Sequence, residues 1–298
     1  MKPLLTVFTP AYNRAYTINR CYESLKRQTN KSFKWLVVDD GSTDNTKELI
    51  MKWKDEADFE ITYIYKENGG MHTAHNTAYQ NIDTELNVCI DSDDYLTDNA
   101  VEIIITEWEK VRDKRLAGLG ALNILESGEV IGVKFPEGLK QSKYFDIYNK
   151  YGVYGDKKFI YRTDLTKNFP YPEYVGEKYV GLDYKYKKLD EKYELALVNK
   201  VVCVVEYMED GSSKNMLKQY RKSPNGWCFF RLENLKIPET SLKYKFKECI
   251  HYVSSSIMCK NKGLISKSPY KSLTIVAIPF GLILYSYVML KTSDISMI

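Results

Sequence analysis

The stretch FKWLVVDDGSTDNTKELIMKW (residues 33–53) has the pattern of a strand, a turn and a helix in succession. Its first six residues form an apolar run with the length and composition of a buried strand. Thr46, Leu49, Ile50 and Trp53 then recur at helical spacing, after an acidic turn that contains glycine. Parallel strands need crossover connections of this kind, so the stretch predicts one βα unit of a parallel sheet.

The same order of apolar run and helical pattern occurs three more times in the first 112 residues, beginning at LLTVFT (4–9), EITYIY (60–65) and LNVCI (86–90). Four consecutive βα units predict an α/β fold with a Rossmann-like, mostly parallel sheet and helices on both faces. Ligands of such sheets bind beyond the carboxyl ends of the strands. We therefore expect four polar segments to converge on one cleft: TPAYNR (9–14), DDGSTD (39–44), KENGG (66–70) and DSDD (91–94).

The bulk composition is that of an ordinary globular protein and excludes few functions. A net charge of +4 and a pI near 8.5 are too mild to indicate a nucleic-acid partner. The six cysteines show no CxxC pair and no histidine at ligand spacing, so neither a zinc site nor a disulfide framework is predicted. We expect them to be reduced in a cytosolic protein.

The DSDD segment poses an electrostatic problem. Asp91, Asp93 and Asp94 stand within four positions, and carboxylates this close raise each other's pKa unless a positive charge lies among them. Two carboxylates one residue apart at a strand end suit Mg²⁺ or Mn²⁺, which take oxygen ligands and usually bind substrate phosphates as well. The alternative is that Asp93 or Asp94 merely forms a turn and caps the next helix. The convergence of the other strand ends favours the metal.

Two other strand ends suit a nucleotide. Asp39 and Asp40 follow one strand directly and are reasonable acceptors for the N–H of a nucleobase or for a ribose hydroxyl. Gly69 and Gly70 stand just before a helix, where free backbone N–H groups can hold a phosphate.

The pattern after Arg112 is looser. AGLGALNI (117–124) and EVIGVKF (129–135), joined by a turn at Ser127 and Gly128, predict a β-hairpin, and KVVCVVEY (200–207) predicts one more buried strand. Near the end of the chain, residues 272–290 carry no charge over 19 residues. That is close to the roughly 20 residues that a membrane-spanning helix needs.

The uncharged segment follows Lys260, Lys262, Lys267 and Lys271. It is interpretable as a core helix, a membrane-surface helix or a spanning helix. The lysines favour the cytosolic side of an anionic bilayer for either of the last two.

Taken as a set, TPAYNRA, VVDDGSTDNT, NGGMHTAHN and IDSDDYLT resemble the family 2 glycosyltransferases of the GT-A fold, in particular bacterial enzymes that build capsular or other cell-surface polysaccharides. The resemblance covers residues 4–112. It implies a nucleotide-sugar-binding half (1–112), an acceptor-binding half of the same catalytic domain (113–240) and a C-terminal helical membrane-association region (241–298). It also implies Mn²⁺ or Mg²⁺ as cofactor, with Asp93 as the metal ligand on the diphosphate of the donor.

The resemblance further assigns a set of donor contacts. The nucleoside, most often of a UDP-sugar, would be surrounded by Thr9, Tyr12, Arg14, Asp39 and Asp40. Asn68 and Gly70 would line the donor pocket, and Asn76 would support that turn. Asp91 and Ser92 would contact the ribose or the sugar. A loop that closes over the diphosphate would contain Ser212, Ser213 and Lys214.

The same family implies inversion at the anomeric carbon, with a carboxylate that takes the proton from the acceptor hydroxyl. The segment GEKYVGLD offers Glu177, which Lys178 follows, and Asp183. We expect one of these two acids to be the base, with Glu177 preferred, and both remain interpretable as surface charges.

The predicted protein is therefore an enzyme on the cytoplasmic face of the cell membrane. It would transfer a sugar to a lipid-linked or polysaccharide acceptor, and a homo-oligomer is compatible with the sequence. One alternative is a non-catalytic membrane-associated subunit that keeps the fold, because Lys178 stands where a second acid is common. Another is a phosphatase with Asp91 as nucleophile, since such enzymes also place a DxD after an apolar strand.

Overall fold

The computed structural model describes residues 3–208 and 215–293, which form two compact units. The sheet unit comprises residues 3–68, 73–170 and 185–208, and the helical unit comprises residues 69–72, 171–184 and 215–293. The predicted division at residues 112 and 240 follows function rather than compactness, and it stays a prediction.

The sheet unit contains all nine strands of one sheet. They are β1 (Leu5–Ala11), β2 (Phe33–Asp39), β3 (Glu60–Tyr65), β4 (Leu86–Cys89), β5 (Tyr95–Leu96), β6 (Leu116–Ile124), β7 (Gln141–Ser142), β8 (Lys157–Arg162) and β9 (Glu194–Val204). Their order is β3-β2-β1-β4-β8-β6-β9-β5, and β7 pairs with β9. The four strands β3, β2, β1 and β4 are parallel, as the βα repeats predict. Antiparallel β8 joins them to the parallel pair of β6 and β9.

The helices are α1 (Ile18–Lys26), α2 (Thr46–Glu56), α3 (Met71–Asn81), α4 (Ala100–Val111), α5 (Tyr144–Asn149), α6 (Thr163–Thr166), α7 (Asp183–Leu189), α8 (Met216–Lys222), α9 (Pro224–Leu235), α10 (Leu242–Met258) and α11 (Lys271–Lys291). The prediction of helices on both sheet faces is confirmed on strand β1. Val7 belongs to the core cluster that includes α1, whereas the next residue, Phe8, packs edge-on against His75 of α3 with ring centroids 5.1 Å apart. Successive side chains of a strand point to opposite faces.

The predicted hairpin after Arg112 is observed only at its turn, where the backbone N–H of Leu125 donates to the carbonyl of Glu129 at 2.8 Å and that of Ile131 to Asn123 at 3.0 Å. Strand β6 is observed, but residues 129–135 contribute only an isolated bridge between Ile124 and Val130. Both edges of β6 are already paired, with β8 on one side and β9 on the other. Because β8 pairs with β6 from Gly118 to Leu122, the chain after the turn can pair with β6 only beyond Leu122, and the second strand of the hairpin stays short. The predicted strand at 200–207 is observed as the second half of β9, which begins at Glu194.

The helical unit contains α8 to α11, and the predicted C-terminal helix is α11. It runs through Pro279 without interruption. All six cysteines lie in the described residues and are free, four of them buried.

Candidate active site

The loops after β1 and β2 are hydrogen-bonded to each other at the carboxyl edge of the sheet. The backbone N–H of Asn13 donates to Ser42 Oγ at 2.8 Å, and Asn13 Oδ1 accepts from the backbone N–H of Thr43 at 2.8 Å. The loop after β3 also reaches this edge, because a Cβ added to Gly41 would lie 2.8 Å from the backbone nitrogen of Asn68. Three of the predicted strand-end segments are therefore in direct contact.

Asp39 and Asp40 are buried at this edge, and each has a defined partner. Asp39 accepts hydrogen bonds from the backbone N–H of Ser42 at 2.7 Å and from the hydroxyl of Tyr63 at 2.6 Å. Burial and the Asp39 carboxylate raise the pKa of Tyr63 above its usual value, so this hydroxyl keeps its proton and remains a donor. Lys66 Nζ lies 2.6 Å from Asp40 Oδ1, and this ion pair offsets the charge of the two adjacent acids.

The three predicted contacts of the first loop differ in exposure. Thr9 is fully buried on β1, and its hydroxyl accepts from the indole N–H of Trp35 at 3.0 Å. The Thr9 side chain is therefore part of the protein core and supports the loop that follows β1. Tyr12 is 48% exposed, and the guanidinium of Arg14 donates to the hydroxyl of Tyr16.

The loop after β3 holds an acceptor without a partner. The side-chain oxygen of Asn68 is buried and receives no hydrogen bond from any residue that the structure describes. A buried acceptor left in this state is costly, which makes it a marker for a ligand. Gly70 belongs to the helical unit, and Asn76 lies half-buried on α3.

The DSDD segment forms a tight turn directly after β4. The backbone N–H of Asp94 donates to the carbonyl of Asp91 at 3.0 Å. Asp91 and Asp93 are half-buried, whereas Ser92 and Asp94 are buried. The turn therefore divides the three acids, with the carboxylates of Asp91 and Asp93 partly exposed and that of Asp94 buried.

The positive charge among these carboxylates is Lys158 of β8, a residue that the sequence interpretation missed. Its Nζ lies 3.5 Å from Asp94 Oδ2 and donates to the carbonyl of Cys89 at 3.4 Å. Burial raises the pKa of Asp94 to about 7 in spite of this lysine. Burial alone would lower the pKa of Lys158. The electrostatic influence of nearby groups, first Cys203 and then Asp94 and Asp91, raises this pKa well above its usual value.

Pairing between strands explains why Lys158 reaches this turn. Strands β4 and β8 are antiparallel, with Val88 opposite Ile160. Two residues further along, this register brings Lys158 opposite Ile90, just before Asp91. A lysine inside the apolar run KKFIYR was the signal in the sequence, but only the pairing shows which acid it meets.

The residues at the turn fit a divalent cation that the substrate helps to bind. No group of three or more His, Cys, Asp or Glu side chains that could hold a metal occurs within residues 3–208 and 215–293. Asp93 offers a half-buried carboxylate beside that of Asp91, which suits Mg²⁺ or Mn²⁺ bound by one or two carboxylates together with phosphate oxygens.

The two acids predicted as base lie in the helical unit and have different surroundings. Glu177 caps the first turn of α9: it accepts from the backbone N–H groups of Asn225 at 2.9 Å and Gly226 at 2.8 Å, and from Asn225 Nδ2 at 2.7 Å. Asp183 is the first residue of α7 and is half-buried. Burial, followed by the charge of Asp183, raises the pKa of Tyr179 to about 12. The predicted diphosphate contacts Ser212, Ser213 and Lys214 lie outside the described residues.

Comparison with protein families gives one match, which covers more than half of the chain. The family model described as Glycosyl transferase family 2 matches residues 6–168. Glycosyltransferase GlyA of Streptococcus pneumoniae is 30% identical over 175 residues, which are 59% of this chain and 24% of that protein. The chondroitin synthase of Pasteurella multocida is 36% identical over 139 residues, 45% of this chain and 14% of the synthase. The chain thus spans a quarter or less of the length of these relatives.

Solved structures show the same fold over nearly the whole chain. Residues 1–349 of S. aureus TarS in complex with UDP-GlcNAc match 99% of this chain and 92% of that chain, with a TM-score of 0.64 and 17% identity. The mannosyltransferase PcManGT from Pyrobaculum calidifontis, in complex with GDP-Man and Mn²⁺, matches with a TM-score of 0.52 and 16% identity. The predicted GT-A-type fold is confirmed.

Proposed function

The chain belongs to glycosyl transferase family 2, and we propose that it transfers a sugar from a UDP-sugar to a hydroxyl group of a lipid-linked or polysaccharide acceptor in the synthesis of a cell-surface glycan. The observation that carries this proposal is the carboxyl edge of the four parallel strands. There the buried acids of β2, the partnerless acceptor of Asn68 and the DSDD turn occupy neighbouring strand ends.

The nucleoside binds to the loops after β1, β2 and β3. Asn68 Oδ1 accepts a hydrogen bond from a base N–H or a ribose hydroxyl, which removes the cost of its unmet acceptor. Asp39 and Asp40 have lone pairs beyond those used by Tyr63 and Lys66, since a carboxylate has about four acceptor positions. The exposed ring of Tyr12 offers an apolar surface to the base.

The diphosphate binds beside the DSDD turn. Asp93 holds the divalent cation, and Asp91 and Ser92 contact the ribose or the sugar. When bound, the cation neutralises charge on the departing diphosphate. Lys158 and Asp94 lie behind the turn and keep its backbone in place for this contact.

We assign the base to Asp183 rather than to Glu177. Both oxygens of Glu177 already accept hydrogen bonds at the first turn of α9, so this side chain is committed to holding the helix. Asp183 takes the proton from the acceptor hydroxyl as its oxygen bonds to the anomeric carbon and the bond from that carbon to the diphosphate oxygen breaks. A single displacement of this kind inverts the anomeric configuration.

The enzyme acts at the cytoplasmic face of the membrane, and two features of its C-terminal region support this part of the proposal. Lys260, Lys262 and Lys267 precede α11, and Lys271 is its first residue. The helix is long and apolar enough to interact with lipid, and many of its large apolar side chains are exposed. A lipid-linked acceptor is met at that surface.

The proposal is tested by thermal unfolding with a series of nucleotide sugars, with and without Mn²⁺, followed by transfer assays on the donor that stabilises. A ligand that binds only the native state at a hundred times its Kd raises the free energy of unfolding by about 2.7 kcal/mol. Asp93→Ala should lose the Mn²⁺-dependent part of this shift and its activity. Asp113→Ala, which removes a half-buried acid paired with the exposed Arg115, is the matched control and should behave as the parent does.

Two outcomes would contradict the proposal. Full activity of Asp93→Ala would remove the metal assignment, and an unchanged melting temperature with every donor would remove the donor site itself. Calorimetry separates an enzyme from a non-catalytic subunit, which binds the donor without turnover. The phosphatase alternative lacks support from the family match, and an acid-labile phosphate on Asp91 would be needed to revive it.

A further inference from the structure

Helix α11 has one face turned to the protein and a wider apolar face turned outward. Its buried residues are few and mostly small: Thr274, Ala277, Gly281 and Val288. The exposed large side chains on the other face are Ile275, Val276, Phe280, Leu282, Ile283, Tyr287 and Leu290, of which Ile283 is 67% exposed. Soluble proteins rarely expose this many contiguous apolar side chains without a partner.

The helix is attached to the helical unit along its length. Near its start, Thr274 Oγ1 lies 2.7 Å from Ser268 Oγ. At its middle, a Cβ on Gly281 would lie 2.4 Å from Val253 Cγ1, so only glycine permits this close packing on α10. At its end, the guanidinium of Arg221 on α8 donates to the carbonyl of Thr292.

This attachment determines how the helix can meet a bilayer. Helix α10, which packs on α11, contains Glu248, and this buried acid pairs with Arg231 of α9 at 3.0 Å. It also carries the exposed Lys243 and Lys247. If α11 crossed the hydrocarbon, α10 and these charges would have to enter it, which is strongly unfavourable.

The charges near the apolar face select the partner. Lys267 and Lys271 are exposed just before the face begins, and Lys291 is exposed where it ends. From residue 241 to residue 293, Glu248 is the only acid in the sequence, against eight lysines. A second copy of the chain would bring lysines against lysines, whereas anionic lipid head groups complement them.

We propose that α11 lies in the plane of an anionic membrane surface, with its exposed apolar face in the outer acyl layer and Lys271 and Lys291 at the head groups on the same side. The inference deepens the proposed membrane association and depends on it. It predicts an interfacial helix although the length and composition of α11 also suit a spanning helix.

The topology is tested with the full chain bound to preformed vesicles of phosphatidylcholine and phosphatidylglycerol. Lys271→Cys and Lys291→Cys are labelled from outside with a membrane-impermeant maleimide, and the parent chain gives the background of its six free cysteines. We expect both positions to be labelled equally with and without detergent. Protection of only one position until detergent is added would show a spanning helix and overturn the proposal.

The surface itself is tested by vesicle flotation. Ile283→Glu should weaken vesicle binding by at least about tenfold, because an apolar side chain is exchanged for a charge at the buried face. Met51→Glu, which replaces an exposed apolar side chain of α2, is the matched control and should bind as the parent does. Omission of phosphatidylglycerol or addition of salt should also weaken binding. Ile283→Ser provides a milder variant should the charge disturb folding.

Two further measurements separate the possible failures. Light scattering without vesicles detects a dimer. If Ile283→Glu abolishes such a dimer, and if vesicle binding does not depend on phosphatidylglycerol, the exposed apolar face of α11 is an interface with a second copy of the chain and the proposal is wrong. Donor hydrolysis in solution reports the proposed function independently. If Ile283→Glu loses vesicle binding but still hydrolyses the donor, the result supports the inference. If the parent chain binds vesicles but hydrolyses no donor, the result contradicts the proposed function and leaves the membrane surface in place.

Discussion

Replacement of Lys158 by methionine tests whether this lysine is the cation that stabilises the DSDD turn. Lys158 and Asp94 are both buried, with Nζ and Oδ2 3.5 Å apart. Breaking a buried pair by removing one partner costs about 3–5 kcal/mol when the other remains charged. Asp94 can escape part of this cost by taking up a proton, so the expected loss of stability depends on pH.

The sign follows from the pKa of Asp94, which burial raises from 3.8 to about 7. A carboxyl whose folded-state pKa is raised stabilises the protein at low pH, and this contribution is lost as the pH rises from about 4 to 7. Without Lys158 the folded-state pKa rises further, so the loss continues above pH 7 at about 1.4 kcal/mol per pH unit. Lys158→Met should therefore be destabilised by roughly 1.4 kcal/mol more at about pH 8 than at about pH 6.

Urea unfolding at these pH values measures the effect. Lys157→Met is the matched control, because Lys157 is also buried but donates to backbone carbonyls, at 2.8 Å for Ile131 and 3.1 Å for Tyr154. Its loss should destabilise by an amount that does not change between about pH 6 and 8. The double variant Lys158→Met/Asp94→Asn should lose the added pH dependence. Equal destabilisation of Lys158→Met at all pH values would refute the assignment.

Other predictions concern the base and a glycine. Asp183→Asn should lower kcat by about 10²–10⁴-fold with little change in melting temperature. Glu177→Ala should keep kcat but lose about 1 kcal/mol of stability with the helix cap, and the reverse pattern in transfer and unfolding assays would exchange their roles. Gly70→Ala should destabilise more than Gly128→Ala in urea unfolding. Both glycines have positive φ, at +92° and +86°, but a Cβ on Gly70 would lie 2.1 Å from the carbonyl oxygen of Lys178, whereas nothing lies within 4 Å of one on Gly128. Equal losses would show that the backbone relieves the clash.

The first half of the fold was predictable because its signals are local. Each βα unit shows an apolar run, a turn and a helical period within about 20 residues, and the βα rule then places the polar strand ends at one edge. The contact between the loops of Asn13 and Ser42 agrees with that expectation.

The parts that sequence reasoning missed depend on pairing over long distances. Strand β8 lies between β4 and β6, and no local pattern indicates that Lys158 would meet an acid more than 60 residues earlier. The contacts of Glu177 with Asn225 span 48 residues, so its role as a helix cap is invisible in the segment GEKYVGLD. The predicted hairpin is limited to its turn for a related reason, since strand β6 pairs along most of its length with β8 and β9, which come later in the chain.

The cross-linked loops after β1 and β2 have a consequence for the speed of donor exchange. Asn13, held at a φ of 52° and bonded to both Ser42 and Thr43, leaves this rim of the site little freedom to reorganise. Because these loops are already ordered, they lose little conformational entropy when a nucleotide binds, and binding does not require them to become ordered first. Under the proposed function, this rim should accept and release nucleotides without a gating motion, and any slow conformational step in turnover should arise in another part of the protein.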